Sequence, residues 1–356
     1  MSIHQLKLTD FRNLVNTTID FHPSLNVIYG DNGSGKTSLL EAIYALCQAN
    51  SFRQHYFKKC IQHGKDQFLL FGHFTEYKVG LAKSDDKLEI RVNGQSIKRR
   101  SQLVSKTPIN IINSDSISLI TGSPEKRRQY VDWCLFHLEQ TYIENWVCFR
   151  HALRQRNKLL KISQNHHLLD YWDDYIIKPS LVLQKMRSAC CQEISHVLNS
   201  ELFDLITNIK ITLQYQQGWQ LSSSLLECLK KNRERDIHSG FTRSGIHRDD
   251  LLIFSDGLPA TDVLSRGELK GVSLALLVAT LKIVSRCYRR PIILLLDDLQ
   301  AEVDELTQDK IYKAVFDMDV QLFITSLDSK ITKGLQGKDF KMFHVERGMI
   351  KPVKFV

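Results

Sequence analysis

Apolar side chains recur among polar ones in the first thirty residues, which is typical of short β-strands with one buried face. The apolar positions are Ile3, Leu6, Leu8, Ile19, Phe21, Val27 and Tyr29. A similar pattern over residues 68–112 surrounds the dipeptide Asn93-Gly94, which is a strong signal for a hairpin turn. We therefore predict that residues 68–112 form an antiparallel meander.

The pattern changes to helical periodicity over residues 124–208, beginning at Ser123-Pro124. Strand character returns in "IKITLQY", "DDLLIFSDG", "PIILLLDD", "VQLFITS" and the C-terminal "MFHVERGMIKPVKFV", and a further apolar helix covers residues 264–281. These segments predict an α/β protein with a mixed sheet. One lobe comprises residues 1–120 and 245–356, and a second, mainly helical lobe comprises residues 121–244.

The composition indicates the class of binding partner and the cellular compartment. Lys and Arg number 48 against 39 Asp and Glu, so the net charge of +9 favours an anionic partner such as nucleic acid or phosphate. The start "MSIHQLKLTDFRNL" has no apolar signal region, and no apolar run approaches the length of a membrane span. The eight cysteines form no C-x-x-C pair. We expect a cytoplasmic protein with reduced thiols and no membrane partner.

The stretch "GDNGSGKT" matches the phosphate-binding pattern G-x-x-x-x-G-K-[ST] between an apolar strand and a helix. Its glycines allow successive backbone N–H groups to face the phosphates at a helix N-terminus. We expect Lys36 to reach the β- and γ-phosphates and Thr37 to ligate Mg²⁺. The predicted nucleotide-binding segment is Gly30, Asp31, Asn32, Gly33, Ser34, Gly35, Lys36, Thr37 and Ser38.

Two carboxylates follow the apolar run "IILLL". Because the C-terminal end of a buried parallel strand faces the ligand crevice, Asp297 and Asp298 are placed to serve the phosphate loop. We expect Asp297 to hold Mg²⁺ and Asp298 to orient or deprotonate the attacking water.

The apolar helix of residues 264–281 begins with Ser265, Arg266, Gly267 and Glu268. This start, "LSRGE", resembles the L-S-G-G-Q signature of ABC-type ATPases, which contacts the nucleotide held by a second subunit. A helix start with exposed N–H groups is an anion site, and a small residue permits close approach. The alternative is that Ser265 is an ordinary helix cap.

Over nearly its whole length the chain resembles the RecF family, which is related to SMC proteins but lacks their long coiled coil. The segments that carry the resemblance are "LKLTDFRNL", "YGDNGSGKTSLLEAIY", "LITGSPEKRRQYVD", "LRQRNKLL", "TRSGIHRDDLLIF", "LSRGELKGVSLAL", "ILLLDDLQAEVD" and "FHVERGMI". The resemblance implies an ABC-type ATPase head that uses ATP and Mg²⁺, with weak DNA-stimulated hydrolysis. It also implies an ATP-dependent homodimer on double-stranded or gapped DNA without sequence preference, RecR and RecO as partners, RecA loading, and association with the nucleoid.

The resemblance also assigns site residues. Arg12 and Asn13 lie near the nucleotide, residues 302–304 including Asp304 form a loop at the dimer interface, and the helix of residues 264–281 faces that interface. Lys36, Ser265, Asp297 and Asp298 carry the catalytic roles. Three departures from the pattern indicate slow turnover or altered dimer strength: Glu268 in the signature, Asp298 in place of Glu, and Thr325 or Ser326 in place of the switch histidine.

Basic side chains recur in clusters, one of which is Arg150/Arg154/Arg156/Lys158, and Arg150, Arg154 and Lys158 share one face of a predicted helix. The other clusters are Lys98-Arg99-Arg100, Lys126-Arg127-Arg128, Lys230-Lys231-Arg233-Arg235 and Arg286/Arg289/Arg290. The segment "GSPEKRR" has a structural alternative, because Arg128 and Asp132 have the spacing of an ion pair on a helix. For the whole chain, the alternatives are an ABC transporter subunit, a small-molecule kinase, and a structural DNA-binding protein with a vestigial ATP site.

Overall fold

A computed structural model describes residues 2–53, 56–162, 166–206, 209–288, 291–329, 335 and 337–353. Arg289 and Arg290 of the predicted basic cluster lie outside the described residues. The strands are β1 (Ile3–Thr9), β2 (Thr17–Asp20), β3 (Leu25–Tyr29), β4 (Gln67–Phe74), β5 (Lys78–Ser84), β6 (Leu88–Val92), β7 (Gln95–Ser96), β8 (Ile109–Ile112), β9 (Ile211–Gln216), β10 (Asp250–Ser255), β11 (Leu258–Pro259), β12 (Ile292–Leu296), β13 (Val320–Ser326), β14 (Lys341–Glu346) and β15 (Met349–Val353).

The helices are α1 (Lys36–Gln48), α2 (Ser101–Val104), α3 (Ser118–Thr121), α4 (Pro124–Leu138), α5 (Tyr142–Ile162), α6 (His166–Ser200), α7 (Leu225–Lys231), α8 (Arg233–Ser239), α9 (Ala260–Val263), α10 (Arg266–Cys287), α11 (Leu299–Glu302) and α12 (Glu305–Phe316). None of these helices, within the segments that the structure describes, combines the length and the apolar character needed to cross a membrane.

The chain forms two compact units. The β-rich unit comprises Met1–Ser116 and Tyr288–Val356, and the helical unit comprises Ile117–Cys287. The sequence pattern assigned residues 245–356 to the first lobe, whereas residues 245–287 pack within the helical unit. The reason is strand pairing and helix packing: β10 pairs with β9, and α10 packs against α6 and α4.

In the described part of the β-rich unit, two six-stranded sheets have the orders β2-β1-β4-β5-β6-β7 and β15-β14-β3-β13-β12-β8. The predicted meander is confirmed for β4 to β7, with the turn at Asn93-Gly94 in left-handed conformation. It is wrong for β8, which leaves the meander and pairs parallel with β12. Ile109 and Ile112 are buried there, so the apolar segment "INII" serves the parallel sheet.

Helix α1 contacts strands of both sheets. Its buried side chains join one hydrophobic core with the inner faces of the strands, as at Leu39, Ile43, Phe68 and Phe323. This core holds the start of α1 at the C-terminal ends of β3, β12 and β13, which run parallel to one another. The loop before α1 therefore meets the residues that follow β12 and β13.

The helical unit is organised by α5, α6 and α10 and by the small antiparallel sheet β11-β10-β9. Its interior contains ion clusters, and one of them holds Arg156, so the inclusion of Arg156 in a surface basic cluster is wrong. Arg156 is fully buried and donates to Asp173 at 2.6 Å, Asp236 at 2.8 Å and the Thr242 hydroxyl at 2.8 Å.

A second buried cluster surrounds Arg187, which donates to Asp132 at 2.6 Å, to Asp249 at 2.7 Å and to the Ile246 carbonyl at 2.8 Å. The proposed pair between Arg128 and Asp132 is therefore wrong. Arg128 donates to the backbone carbonyl of Asp249 at 2.7 Å, while Asp132 is the acceptor for Arg187.

Candidate functional site

The phosphate loop connects β3 to α1, as predicted. Gly33 and Gly35 have φ values of 76° and 121°, in the region that favours glycine. At Gly35 an added Cβ would lie 2.8 Å from Leu14, and at Gly30 it would lie 2.1 Å from the Val345 carbonyl oxygen. The glycines are thus required both by the curl of the loop and by its close packing against the rest of the unit.

Lys36 lies over the loop. Its Nζ donates to the carbonyl oxygens of Gly30 at 2.7 Å and Asp31 at 3.1 Å, and the side chain is buried. Ser34 is also buried, and its hydroxyl has no hydrogen-bond partner among the described residues. An ammonium and an unpartnered hydroxyl in one loop are the donors that a phosphate group requires.

The carboxylates after β12 lie beside the start of α1. The Thr37 hydroxyl donates to Asp297 at 3.1 Å, and the Thr325 hydroxyl lies 2.9 Å from the same Asp297 oxygen. The backbone N–H of Asp298 donates to Thr325 at 2.8 Å, and Asp298 has a left-handed φ of 49°. Thr325 therefore fixes the positions of both carboxylates.

The pKa of Asp297 lies above its usual value. Burial is the first cause; the hydrogen bond from Thr325 lowers the pKa, the neighbouring charge of Asp298 raises it, and the contact with Thr37 lowers it. A buried carboxylate beside a second acid is stabilised by a cation, because opposite charge favours the ionised form.

Arg12 and Asn13 reach the loop from the turn after β1. Arg12 forms two hydrogen bonds, at 2.8 and 2.7 Å, to Glu41, which is fully buried on α1. The Ser38 hydroxyl lies 2.8 Å from Asn13 Oδ1, and the Asn13 amide donates to the carbonyl of Gly33 at 3.3 Å. Both residues are held in place by α1 and the loop.

A cleft of about 800 Å³ opens over the loop and is lined by several predicted residues. These are Arg12, Asn13, Asn32, Gly33, Gly35, Lys36, Thr37, Ser38 and Asp298. The sequence reasoning missed Arg53, Lys59, His63 and Lys65, which also line this cleft. Their signal was the run of basic residues after α1, "FRQHYFKKCIQHGK", which no pattern connects to the phosphate loop.

Ser265, Arg266, Gly267 and Glu268 form the exposed start of α10 in the helical unit. Ser265 accepts from the backbone N–H of Glu268 at 3.3 Å, and Glu268 accepts from that of Ser265 at 2.7 Å. The two residues make a reciprocal capping box. These contacts lower the pKa of Glu268, the first cause being its hydrogen bond with Ser265.

Asp304 is the N-cap of α12. It accepts from the backbone N–H of Thr307 at 2.9 Å and from its hydroxyl at 3.0 Å, and it is not among the residues that line the cleft. Its position at an exposed helix start resembles that of Ser265.

Comparison with known proteins places these motifs in a family. The family model described as the RecF/RecN/SMC N-terminal domain matches residues 2–351. A protein of Shewanella woodyi named "DNA replication and repair protein RecF" is 34% identical over 358 residues, covering 98% of this chain and 98% of its own. A protein of the same name from Shewanella halifaxensis is 34% identical over 356 residues, with 98% of each chain covered.

Solved structures show the same fold. A structure titled as the recombination mediator protein RecF with ATP has a TM-score of 0.88 at 23% identity, covering 99% of this chain and 98% of its own. An SMC head bound to a domain of ScpA has a TM-score of 0.59 at 16% identity and covers 99% of this chain and 97% of its own. The predicted head fold is confirmed, and the longest helix in the described residues, α6, has 35 residues and forms no long coiled coil. The chain belongs to the RecF family, within the RecF/RecN/SMC group.

Proposed function

We propose that this chain is an ATP-dependent DNA clamp of recombinational repair and replication restart. The observation that carries the proposal is the cleft of the β-rich unit, which unites the phosphate loop, the Asp298 carboxylate and further basic residues. The relatives named for DNA replication and repair, and the related structure titled as a complex with ATP, support the same conclusion. The family assignment argues against the transporter subunit and the small-molecule kinase.

ATP binding is the first step that the cleft supports. Five cations, Arg12, Lys36, Arg53, Lys59 and Lys65, line it together with the carboxylate of Asp298. Glu41 contacts Arg12 and Arg53, and Asp10 lies 3.7 Å from Lys65, so five cations face three acids. Such an excess of positive charge suits a triphosphate. Lys36 exchanges its hydrogen bonds to the loop carbonyls for bonds to phosphate oxygens, and the N–H groups at the start of α1 complete the cradle.

Thr37 and Asp297 are suited to hold Mg²⁺. Their oxygens are 3.1 Å apart, close to the separation of about 3 Å between neighbouring oxygens on an octahedral Mg²⁺ with bonds of about 2.1 Å. An ion held by these two residues would neutralise phosphate charge. Asp298 lines the cleft and orients the attacking water, and Thr325 holds it there. Because Asp298 has one methylene fewer than Glu, we expect slow hydrolysis.

The start of α10 supports a dimer in which each copy contacts the ATP of the other. Gly267 lies in the first turn of the 22-residue α10, and glycine is a poorer helix former than alanine. An added Cβ at Gly267 would meet no described atom within 4 Å, so packing within the chain does not explain the glycine. Close approach of another molecule does explain it. The Ser265 hydroxyl is exposed, and it would exchange its contact with the Glu268 carboxylate for a contact with the γ-phosphate.

In this proposal ATP joins two copies on double-stranded or gapped DNA, and hydrolysis releases them. By family relationship, RecO and RecR are the partners, RecA loading is the outcome, and the site of action is the bacterial cytoplasm at the nucleoid. DNA stimulates the hydrolysis because it favours the joined dimer.

Sedimentation with ATP, ADP or no nucleotide, with and without duplex DNA, tests the proposal. We expect a dimer with ATP alone and a larger complex with ATP and DNA. Lys36→Ala weakens ATP binding by about 100-fold or more and abolishes the dimer, because a charge-assisted contact to phosphate is lost. Lys98→Ala, which changes an exposed cation in the same unit, is the matched control. A dimer that forms equally well in the Lys36→Ala variant contradicts the proposal.

A further inference from the structure

The helical unit contains a second large cleft, of about 700 Å³, which the ATP site does not use. Its walls are α4, α5 and the turn before β10. The lining contains five cations, which are Arg128, Arg150, Arg154, Lys158 and Lys161. It contains two acids, Glu125 and Asp132, and Asp132 is already paired with Arg187.

Four of the cations form a row along α5, which we call the α5 row: Arg150, Arg154, Lys158 and Lys161. All four side chains are exposed, and no carboxylate of the described residues lies within 4.0 Å of any of them. Their spacings of four, four and three residues keep them on one helix face, over a length of about 16 Å at 1.5 Å per residue. That length corresponds to about five nucleotides of one DNA strand at 3.4 Å each.

A solvated helix face is the ordinary explanation for such a row. Two features favour a ligand. First, the row lines a concave surface together with Arg128 from α4. Second, alternating charges of both signs are typical of solvent-exposed helix faces, whereas residues 150–161 of α5 contain no acid. Four unpaired like charges along one face repel one another, and a polyanion removes this repulsion.

The aromatic side chains of the cleft decide which form of DNA it suits. Proteins that bind single strands offer free aromatic faces on which bases stack. Trp146 instead stacks on Phe149 at 5.8 Å between ring centres and lies beneath the guanidinium groups of Arg187 at 5.4 Å and Arg150 at 5.8 Å. Phe149 is fully buried. The aromatic groups are therefore committed to the protein, and the free groups are cations.

We propose that the α5 row binds the sugar–phosphate backbone of one strand of duplex DNA. This inference rests on the proposed clamp function and gives its DNA partner a location. Contacts of this kind neutralise phosphates and read no bases, in keeping with binding that does not depend on sequence.

The salt dependence of duplex binding tests the proposal, with a hairpin-closed duplex as the probe and ATP present. Each phosphate contact contributes about 0.9 to the slope of log K against log salt concentration. We expect Arg154→Gln with Lys158→Gln to reduce that slope by about 1.8 per binding site and to weaken binding roughly 50-fold at 0.1 M salt. Arg154→Lys with Lys158→Arg keeps the charges and retains the wild-type slope.

The matched control is Lys231→Gln with Arg235→Gln, which removes two exposed charges from another basic cluster of the same unit. A wild-type slope in the Arg154/Lys158 variant, or an equal loss in the control, overturns the α5 row as the contact. So does a loss of affinity for a single strand but not for the duplex. ATP-dependent dimerisation without DNA is measured in parallel and should be unchanged. Failure of the unmodified protein to bind duplex DNA overturns the proposed clamp, and this inference with it.

Discussion

The two units of the chain use charged side chains in opposite ways. In the β-rich unit, charged groups converge on an open cleft, where cations outnumber acids and the Ser34 hydroxyl has no partner among the described residues. In the interior of the helical unit, charged groups bind one another: Arg187 meets two carboxylates and a backbone carbonyl.

This difference distinguishes polar side chains that are available to a ligand from polar side chains that stabilise the fold. A polar group that a protein leaves without a partner costs free energy until a ligand supplies one. A buried charge with all its partners in place gives little net stability, but removal of one partner is costly, because the other charge stays buried. Cations that have no carboxylate partner among the described residues, such as Lys36 in the ATP cleft and the cations of the α5 row, therefore indicate ligand sites. Cations paired with buried carboxylates, such as Arg12 with Glu41 and Arg187 with Asp249, indicate structural centres in both units.

The largest effect on stability is expected from a substitution that breaks a buried ion cluster. Arg187→Met leaves Asp249, which is 1% exposed, without its cation. We expect the free energy of unfolding to fall by about 3–5 kcal/mol, measured by urea denaturation of the whole protein. Arg235→Met, at an exposed position, should change it by less than about 0.5 kcal/mol.

The pH dependence of the destabilisation by Arg187→Met tests whether an unpaired buried charge causes it. Burial raises the pKa of Asp249, and Arg187 opposes this rise. Without Arg187 the pKa rises further, so the carboxyl takes up a proton at a higher pH and its burial costs less. The destabilisation caused by Arg187→Met should therefore be smaller at pH 5 than at pH 8. An equal loss at both values would mean that lost packing, and not an unpaired charge, is responsible.

The phosphate-binding site and the buried ion clusters differ in how well the sequence predicts them. The phosphate loop is one contiguous segment, and its glycines, lysine and threonine together match one phosphate-binding pattern. Asp297 directly follows an apolar segment that is typical of a buried strand. Arg156 and Asp236 are 80 residues apart, and no local pattern connects them. The helical period of α5 predicted that Arg150, Arg154 and Lys158 share a face, but only the packing of α4 against α5 shows that this face lines a cleft. The same limit explains β8, whose apolar residues fit either sheet until the pairing is known.

A smaller effect is expected from acidification of the helical unit. Burial lowers the pKa of His137 and of His247 to about 4, below the usual value of 6.5. The unfolded chain therefore binds protons at these positions between pH 6.5 and 4 while the folded chain does not, so stability falls as the pH falls. Each histidine should cost about 2 kcal/mol between pH 8 and pH 5.

Urea denaturation of variants at both pH values measures this effect. His247→Asn should flatten the loss between pH 8 and pH 5 by about 2 kcal/mol. The exposed His196→Asn is the control and should leave the loss unchanged. If His247→Asn has the same pH dependence as the wild type, His247 is not held neutral by the fold.

The smallest effect on stability concerns Ser265, which combines features of a structural residue and of a ligand-binding residue. Ser265 has its capping partners in place, as a structural residue does, yet the proposed function requires it at the dimer interface. Ser224 provides a matched residue in the same unit. It caps α7 through a capping box with Glu227, with hydrogen bonds of 3.2 and 2.8 Å, and it is also exposed.

Ser265→Ala and Ser224→Ala should each lower the free energy of unfolding by about 1 kcal/mol, because each removes an equivalent cap. They should differ in sedimentation with ATP. Ser265→Ala weakens the dimer while the ATP affinity of the monomer stays the same, whereas Ser224→Ala affects neither. If the two variants dimerise equally well, the hydroxyl of Ser265 is only a cap, and the contact with the second nucleotide must come from the backbone N–H groups of α10. A glycine at position 267 would still permit that contact, so Gly267→Ala would then be the substitution that weakens the dimer.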